Sequence, residues 1–224
     1  MKGLTCCCLL LLASCSASTS GPNPASGANV YYLNFEGQTL TPGADNPATN
    51  TSELLSGSVS LPAYLAGDAQ RATKIQAIVH EVEAILAPYD IAVVTSRPAS
   101  GAYDMVVAGG TSQQAGFPTG LHAEAVVDCT AARPRHISLV FDLSTGHDAA
   151  RQIIGSLGVS HGISASTTST DCMCIADAGC TAPAAACTIG GPGTPVSSNA
   201  NCEAVGVTTM DVHQKFLAEF GQHP

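Results

Sequence analysis

The stretch ARQIIGSLGVSHGISAST, from Ala150 to Thr167, gathers the side chains with the clearest chemical potential: an imidazole at His161, a hydroxyl beside it at Ser160, and glycines at 155, 158 and 162. A histidine can act as a base for a neighbouring hydroxyl or serve as a metal ligand. The stretch has no carboxylate, and zinc needs about three or four protein ligands. The other nearby histidines, His122, His136 and His147, stand at no recognisable ligand spacing from His161 or from one another. The second chemical feature is sulfur. Of ten cysteines, Cys6, Cys7 and Cys8 fall in an apolar leader and Cys15 just after it, leaving Cys129, Cys172, Cys174, Cys180, Cys187 and Cys202. An even number of late cysteines in an exported chain predicts three disulfides. A zinc site is the rival for the cluster from 172 to 202, but its spacings lack a repeated two-residue pair.

The start of the chain sets the compartment. Lys2 is followed by an apolar run from Cys6 to Ala13 and then by Leu12-Ala13-Ser14-Cys15. This reads as a secretory signal with a lipoprotein cleavage site: 1–14 is the signal peptide, Cys15 the lipidated residue and 15–28 a flexible tether. The run is too short to span a bilayer. An ordinary signal peptide, cut a few residues later, is the alternative. The expected address is the outer membrane or the cell surface, through a lipid anchor.

The 224 residues carry a net charge of −9, and Arg71, Lys74, Arg97, Arg133, Arg135, Arg151 and Lys215 form no cluster along the chain, which argues against a nucleic-acid partner. Residues 29–224 suffice for one domain with a substantial core.

The elements that must position His161 follow from pattern. Residues 29–36 alternate as a strand, and a turn-rich loop with no regular element is expected until past Pro62. Asp68 is the expected N-cap of a helix to Leu86, with Ala72, Ile75, Val79, Val82 and Leu86 as its apolar stripe. Strand signals follow at 91–95, 103–108, 124–129 and 137–141. A second helix begins at His147 or Asp148 and runs into the stretch above. A Cys-rich loop segment, 164–207, leads to a closing helix at 210–220 with Val212, Phe216, Leu217 and Phe220 inward. The fold class is α/β (α+β): a mixed twisted sheet with a helix packed on one face.

That order of elements, with the local sequences YLNFEGQTLTPG, EVEAILAPYDIAVVTSRPASGAYDMVVAGG, VVDC, SLVFDL and DCM, resembles the metzincin zinc metalloproteases, in particular matrixin-like domains exported by bacteria. The family signature is His-Glu-x-x-His-x-x-Gly-x-x-His. Leu157, Gly158, Gly162 at the turn, Ile163 and Met173 at the methionine turn set the register. The three zinc-ligand positions then fall on Gly155, Val159 and Ala165, and that of the catalytic glutamate on Ser156. The resemblance therefore implies the second helix in the former active-site position with every zinc ligand missing. Gly, Val and Ala offer no side-chain donor, and Ser156 cannot serve as a general base near neutral pH. Within the resemblance, Cys129–Cys172 is the favoured long-range disulfide, because it would pin the fourth strand against the methionine loop.

The expected function is that of a non-catalytic pseudoprotease, an exported lipoprotein acting in binding or surface assembly. The resemblance implies a cleft beside an edge strand, where an extended peptide or a surface protein could add. No catalytic residue, metal or cofactor is expected; zinc enters only if the chain is an active endopeptidase with a rearranged site, which needs the turn to rotate His161 towards the cleft. The other enzyme reading is a serine hydrolase, since Gly158-Val159-Ser160-His161-Gly162 matches the Gly-x-Ser-x-Gly nucleophile elbow, with Asp177 or Asp211 and His213 available downstream.

Overall fold

The computed structural model describes residues 29–130, 133–143, 146–176, 179–181, 183–190, 192–193, 202 and 208–224. The expected leader, Cys15 and the tether lie outside the described residues, as does Asp177.

Four apolar runs form the centre of the molecule. β1 (Asn29–Asn34), β5 (Ile91–Val94), β6 (Asp104–Ala108) and β8 (Ile137–Val140) are parallel, and β7 (Ala123–Ala125) closes one edge antiparallel to β8, giving the order β5-β1-β6-β8-β7. Period-two alternation sends Tyr31, Leu33, Val106, Ala108 and Val140 into one apolar cluster and Tyr32, Met105, Val107, Ile137 and Leu139 into another. Burial on both faces accounts for the nearly unbroken apolar character of β6 and β8. The first cluster is completed by α1 (Arg71–Leu86), α2 (Gly146–Ser160) and α3 (Val212–Phe220). The structure thus has the expected mixed α/β class, a disulfide-bonded Cys-rich segment and a closing helix.

The second cluster is covered by a small sheet that the sequence reading missed. β2 (Gln38–Pro42) pairs with β3 (Thr51–Ser52) and β4 (Val59–Leu61) in what was expected to be irregular loop, and buries Leu40 and Leu61 beside Leu55. Two- and three-residue strands are too short to show a period, so their pairing depends on neighbours distant in sequence. Asp45 supplies part of that support. Its carboxylate accepts from Ser52 Oγ (2.9 Å), from the Glu53 amide (3.0 Å) and from the Ile137 amide at the start of β8 (3.0 Å).

The first helix also differs in detail. Asp68 is not its N-cap; the carboxylate accepts from the Gln70 amide (2.7 Å) and pairs with Lys74 (2.7 Å), one turn ahead of the helix. The buried stripe is Ile78, Val82 and Leu86, whereas Ala72 is exposed and Ile75 and Val79 are half-buried. An open groove of about 820 Å³ runs along Ala72, Ile75 and Val79 to Thr95.

Three disulfides form, but not with the favoured pairing. Cys129 bonds Cys202 rather than Cys172; Cys172 bonds Cys187, and Cys174 bonds Cys180. Asp171 and Thr188 form a parallel β-bridge between the stretches that carry Cys172 and Cys187, and the Cys172 amide donates to the Thr188 carbonyl (3.0 Å). Cys129 instead lies at the Gly162 turn, where a glycine Cβ would come within 3.0 Å of Cys129 Cα and 3.2 Å of Cys202 Sγ. Disulfides are also not the only restraint on this segment. Arg151, 1% exposed, donates from α2 to the backbone carbonyls of Asp171 (2.9 Å), Cys174 (3.4 Å) and Ala184. In the sequence Arg151 was simply one scattered cation; in the fold it is a buried cross-link satisfied by main-chain oxygen.

Candidate functional site

Gly155, Ser156 and Val159, three of the four motif-equivalent positions, lie on α2, which packs against β7 and β8 and buries most of its length; Ala165 lies beyond its end. A Cβ on Gly155 would stand 2.6 Å from Ile175 Cδ1 and 2.8 Å from its Cγ1, closer than side chains approach. The space that a first histidine would need is therefore occupied by the Cys-rich segment. One turn further, a Cβ on Gly158 would meet Met173 Sδ at 2.5 Å, so Met173 packs directly on the helix backbone. Ser156 is buried and donates its hydroxyl to the Ile153 carbonyl (2.9 Å), while Tyr31 OH donates to the same oxygen (3.0 Å). Val159 is half-buried and packs against the core, and Ala165 is buried.

The helix ends in a glycine cap. Gly162 has φ +72°, its amide donates to the Val159 carbonyl (3.0 Å), and the Ile163 amide donates to the Gly158 carbonyl (2.8 Å). This is the hydrogen-bond pattern of a Schellman motif with glycine in the left-handed position. Ser160 consequently occupies the last residue of a helix, not a strand-to-helix turn. It is buried, and its hydroxyl donates to the Leu157 carbonyl (2.8 Å). The proposed downstream partners are engaged elsewhere: Asp211 caps α3 by accepting from the Gln214 amide (3.0 Å), and His213 Nδ1 lies 2.7 Å from Tyr89 OH.

His161, the first residue after α2, enters a different constellation. Its Nε2 lies 2.8 Å from Asp104 Oδ2 at the start of β6, and its Nδ1 lies 2.8 Å from Glu219 Oε1 on α3. Asp104 Oδ1 accepts from the His136 amide just before β8 (2.7 Å). The rings of His136 and His161 meet edge-on with centroids 4.8 Å apart, and Phe220 flanks His161 on another side at 4.7 Å. Burial pulls the His161 pKa down, but hydrogen bonds and charge from Asp104 and Glu219 outweigh it, so the net shift is upward. Burial holds His136 below the usual histidine range, with Asp104 opposing and His161 adding to the depression. The His161 imidazole thus bridges two carboxylates, with the His136 imidazole edge-on at its side.

Asp104, His136 and His161 each offer an atom within 4.8 Å of the others, the one such grouping among the described residues. Sequence spacing could not reveal it. His136 and His161 belong to different elements, and the parallel alignment of β6 with β8 brings Asp104 and His136 to the same end of the sheet. The absence of a ligand pattern in the sequence was true of linear spacing and does not carry over to the folded arrangement.

No protein-family model matches this chain, and no curated protein matches it. The fold and site define an α/β structure in which α2 is closely packed by Ile175 and Met173 at Gly155 and Gly158, with a part-buried histidine–carboxylate cluster at its end. Among the described residues, no helix is long and apolar enough to cross a membrane.

Proposed function

We propose that this chain is a metzincin-like pseudoprotease: an exported lipoprotein, anchored through Cys15, that acts by binding an extended peptide or a surface protein rather than by hydrolysis. The observation carrying this reading is the packing of Ile175 into the space beside Gly155. A family that holds zinc there needs an open, ligand-bearing helix face, and this helix presents glycine to a filled core. The order of β1, α1, the later strands, α2, the Gly162 turn, the Met173 loop and α3 supports the family resemblance. The three disulfides support an oxidising compartment. The two sheet edges, β5 and β7, are where a strand-like ligand could add.

The purified chain, incubated with zinc, is expected to show no chelator-sensitive cleavage of unfolded protein substrates and no labelling of Ser160 by a fluorophosphonate. Chelator-sensitive cleavage would overturn the proposal, as would labelling abolished by Ser160→Ala. The register itself is tested by Gly155→His, Ser156→Glu, Val159→His and Ala165→His combined with Ile175→Ala, which clears the first position. The folded variant should take up one zinc equivalent more than its parent; no additional uptake would mean that these four positions do not surround a metzincin-like site. Cys15→Ala should release the chain from the membrane fraction, and unchanged fractionation would remove the anchor.

A further inference from the structure

We infer that Asp104, His136 and His161 form a binding site for a divalent transition-metal ion of the zinc class, distinct from the lost site on α2, with Glu219 orienting His161 from behind. The cluster has the parts of a two-histidine, one-carboxylate ligand set. Glu219 contacts Nδ1 of His161 while Nε2 faces Asp104, the carboxylate–histidine–ligand arrangement that fixes a metal-binding imidazole by its second nitrogen.

The decisive residue is His136. It is 1% exposed, and neither ring nitrogen has a hydrogen-bond partner among the described residues. A bridge of Glu219, His161 and Asp104 would be complete without it. A buried imidazole with both nitrogens unsatisfied is costly, and an ion shared with Asp104 and His161 would satisfy one of them. The charge is suitable, since two carboxylates contact a single imidazole, and Asp45 and Asp128 add negative charge near His136.

The geometry requires modest adjustment. Ligand atoms around tetrahedral zinc stand about 3.3 Å apart, given bonds of about 2.0 Å. The 2.8 Å His161–Asp104 pair must open slightly and His136 must swing inward from within 4.8 Å. As the ion takes Nε2, the proton held between His161 and Asp104 leaves to solvent. With side chains of Asp104 and His161 13% and 14% exposed, the site retains an entry path. A bound ion would tie β6, the approach to β8, the end of α2 and, through Glu219, α3.

The test uses the full chain with its disulfides intact, stripped with chelator and titrated with Zn²⁺ or Co²⁺. Uptake of one equivalent is expected, with the visible absorption of low-coordinate Co²⁺ and a Tm raised by about 5 to 10 °C when free ion is about a hundredfold above Kd. His136→Gln leaves the Glu219–His161–Asp104 bridge intact and should abolish uptake, while Glu219→Gln should weaken affinity about 10- to 100-fold. His147→Gln, which alters an exposed pair with Glu81, should change nothing. Should His136→Gln fail to fold, Asp104→Asn decides the matter by loss of uptake and Glu219→Gln by the weakened affinity. Absence of uptake by the folded wild type, or uptake undiminished in the ligand variants, overturns the site. Proteolysis by the loaded protein would overturn the pseudoprotease proposal instead, so the two failures are distinguishable.

Discussion

The glycine at 155 is the sharpest point at which sequence and packing can be tested together. Ile175→Ala removes Cγ1, Cγ2 and Cδ1 from a buried side chain and is expected to destabilise the protein by about 2 to 5 kcal/mol. Gly155→Ala gains about 1 kcal/mol of helix propensity. In the wild-type background, however, its new Cβ stands 2.6 and 2.8 Å from two Ile175 atoms, and relieving such overpacking costs about 1 to 3 kcal/mol. The net effect there should lie between neutrality and a destabilisation of about 2 kcal/mol. In the Ile175→Ala background both offending atoms are gone, and the next neighbour, the Cys172 carbonyl, stands at an ordinary 3.6 Å. Gly155→Ala should then stabilise by about 1 kcal/mol, so the two substitutions couple favourably by about 1 to 3 kcal/mol. Urea unfolding of the four proteins, followed by far-UV circular dichroism with disulfides intact, measures the cycle. Additivity within about 0.5 kcal/mol would refute the reasoning, because it would mean that Ile175 does not fill the space above Gly155.

A second prediction concerns pH. Burial raises the Asp171 carboxyl to about 6, against the lowering influence of backbone hydrogen bonds from Met173 and Gly190 and the charge of Arg151. With the folded pKa above the unfolded value, the stabilising contribution of the neutral acid is full below about pH 4 and is lost as pH rises through 6. This costs up to about 3 kcal/mol by pH 7. Melting curves between pH 4 and 7.5 should show that decline, and Asp171→Asn should flatten it; parallel curves for the two proteins would contradict the assignment. Peptide mapping without reduction should recover Cys129–Cys202, Cys172–Cys187 and Cys174–Cys180, and a Cys129–Cys172 peptide would contradict the fold of the segment. Because the first closes a loop of 73 residues and the last a loop of 6, their paired serine replacements should cost about 4 and about 2 kcal/mol respectively.

Sequence by itself determined the features whose causes are local. Nearly unbroken apolar runs within 29–34, 104–108 and 137–140 can bury both faces of a strand only within a covered sheet, and the spacing of Val212, Phe216 and Phe220 places three side chains on one face of α3. The six late cysteines announced disulfides, and Gly162 announced a turn, because each residue type carries its constraint wherever the chain goes. Tertiary structure alone decided which cysteines pair, since Cys129 meets Cys202 at the Gly162 turn across a sequence separation of 73. It likewise buried Arg151 beneath three carbonyls and paired the two-residue β3 with β2. The histidine cluster belongs to the same class. Asp104, His136, His161 and Glu219 come from two strand ends and two helix ends, and only the register of β6 against β8, with α2 and α3 packed across one face, carries them within hydrogen-bonding reach. Local pattern records which face of an element is apolar; contacts between elements depend on loop closure and packing, which no single stretch of sequence contains.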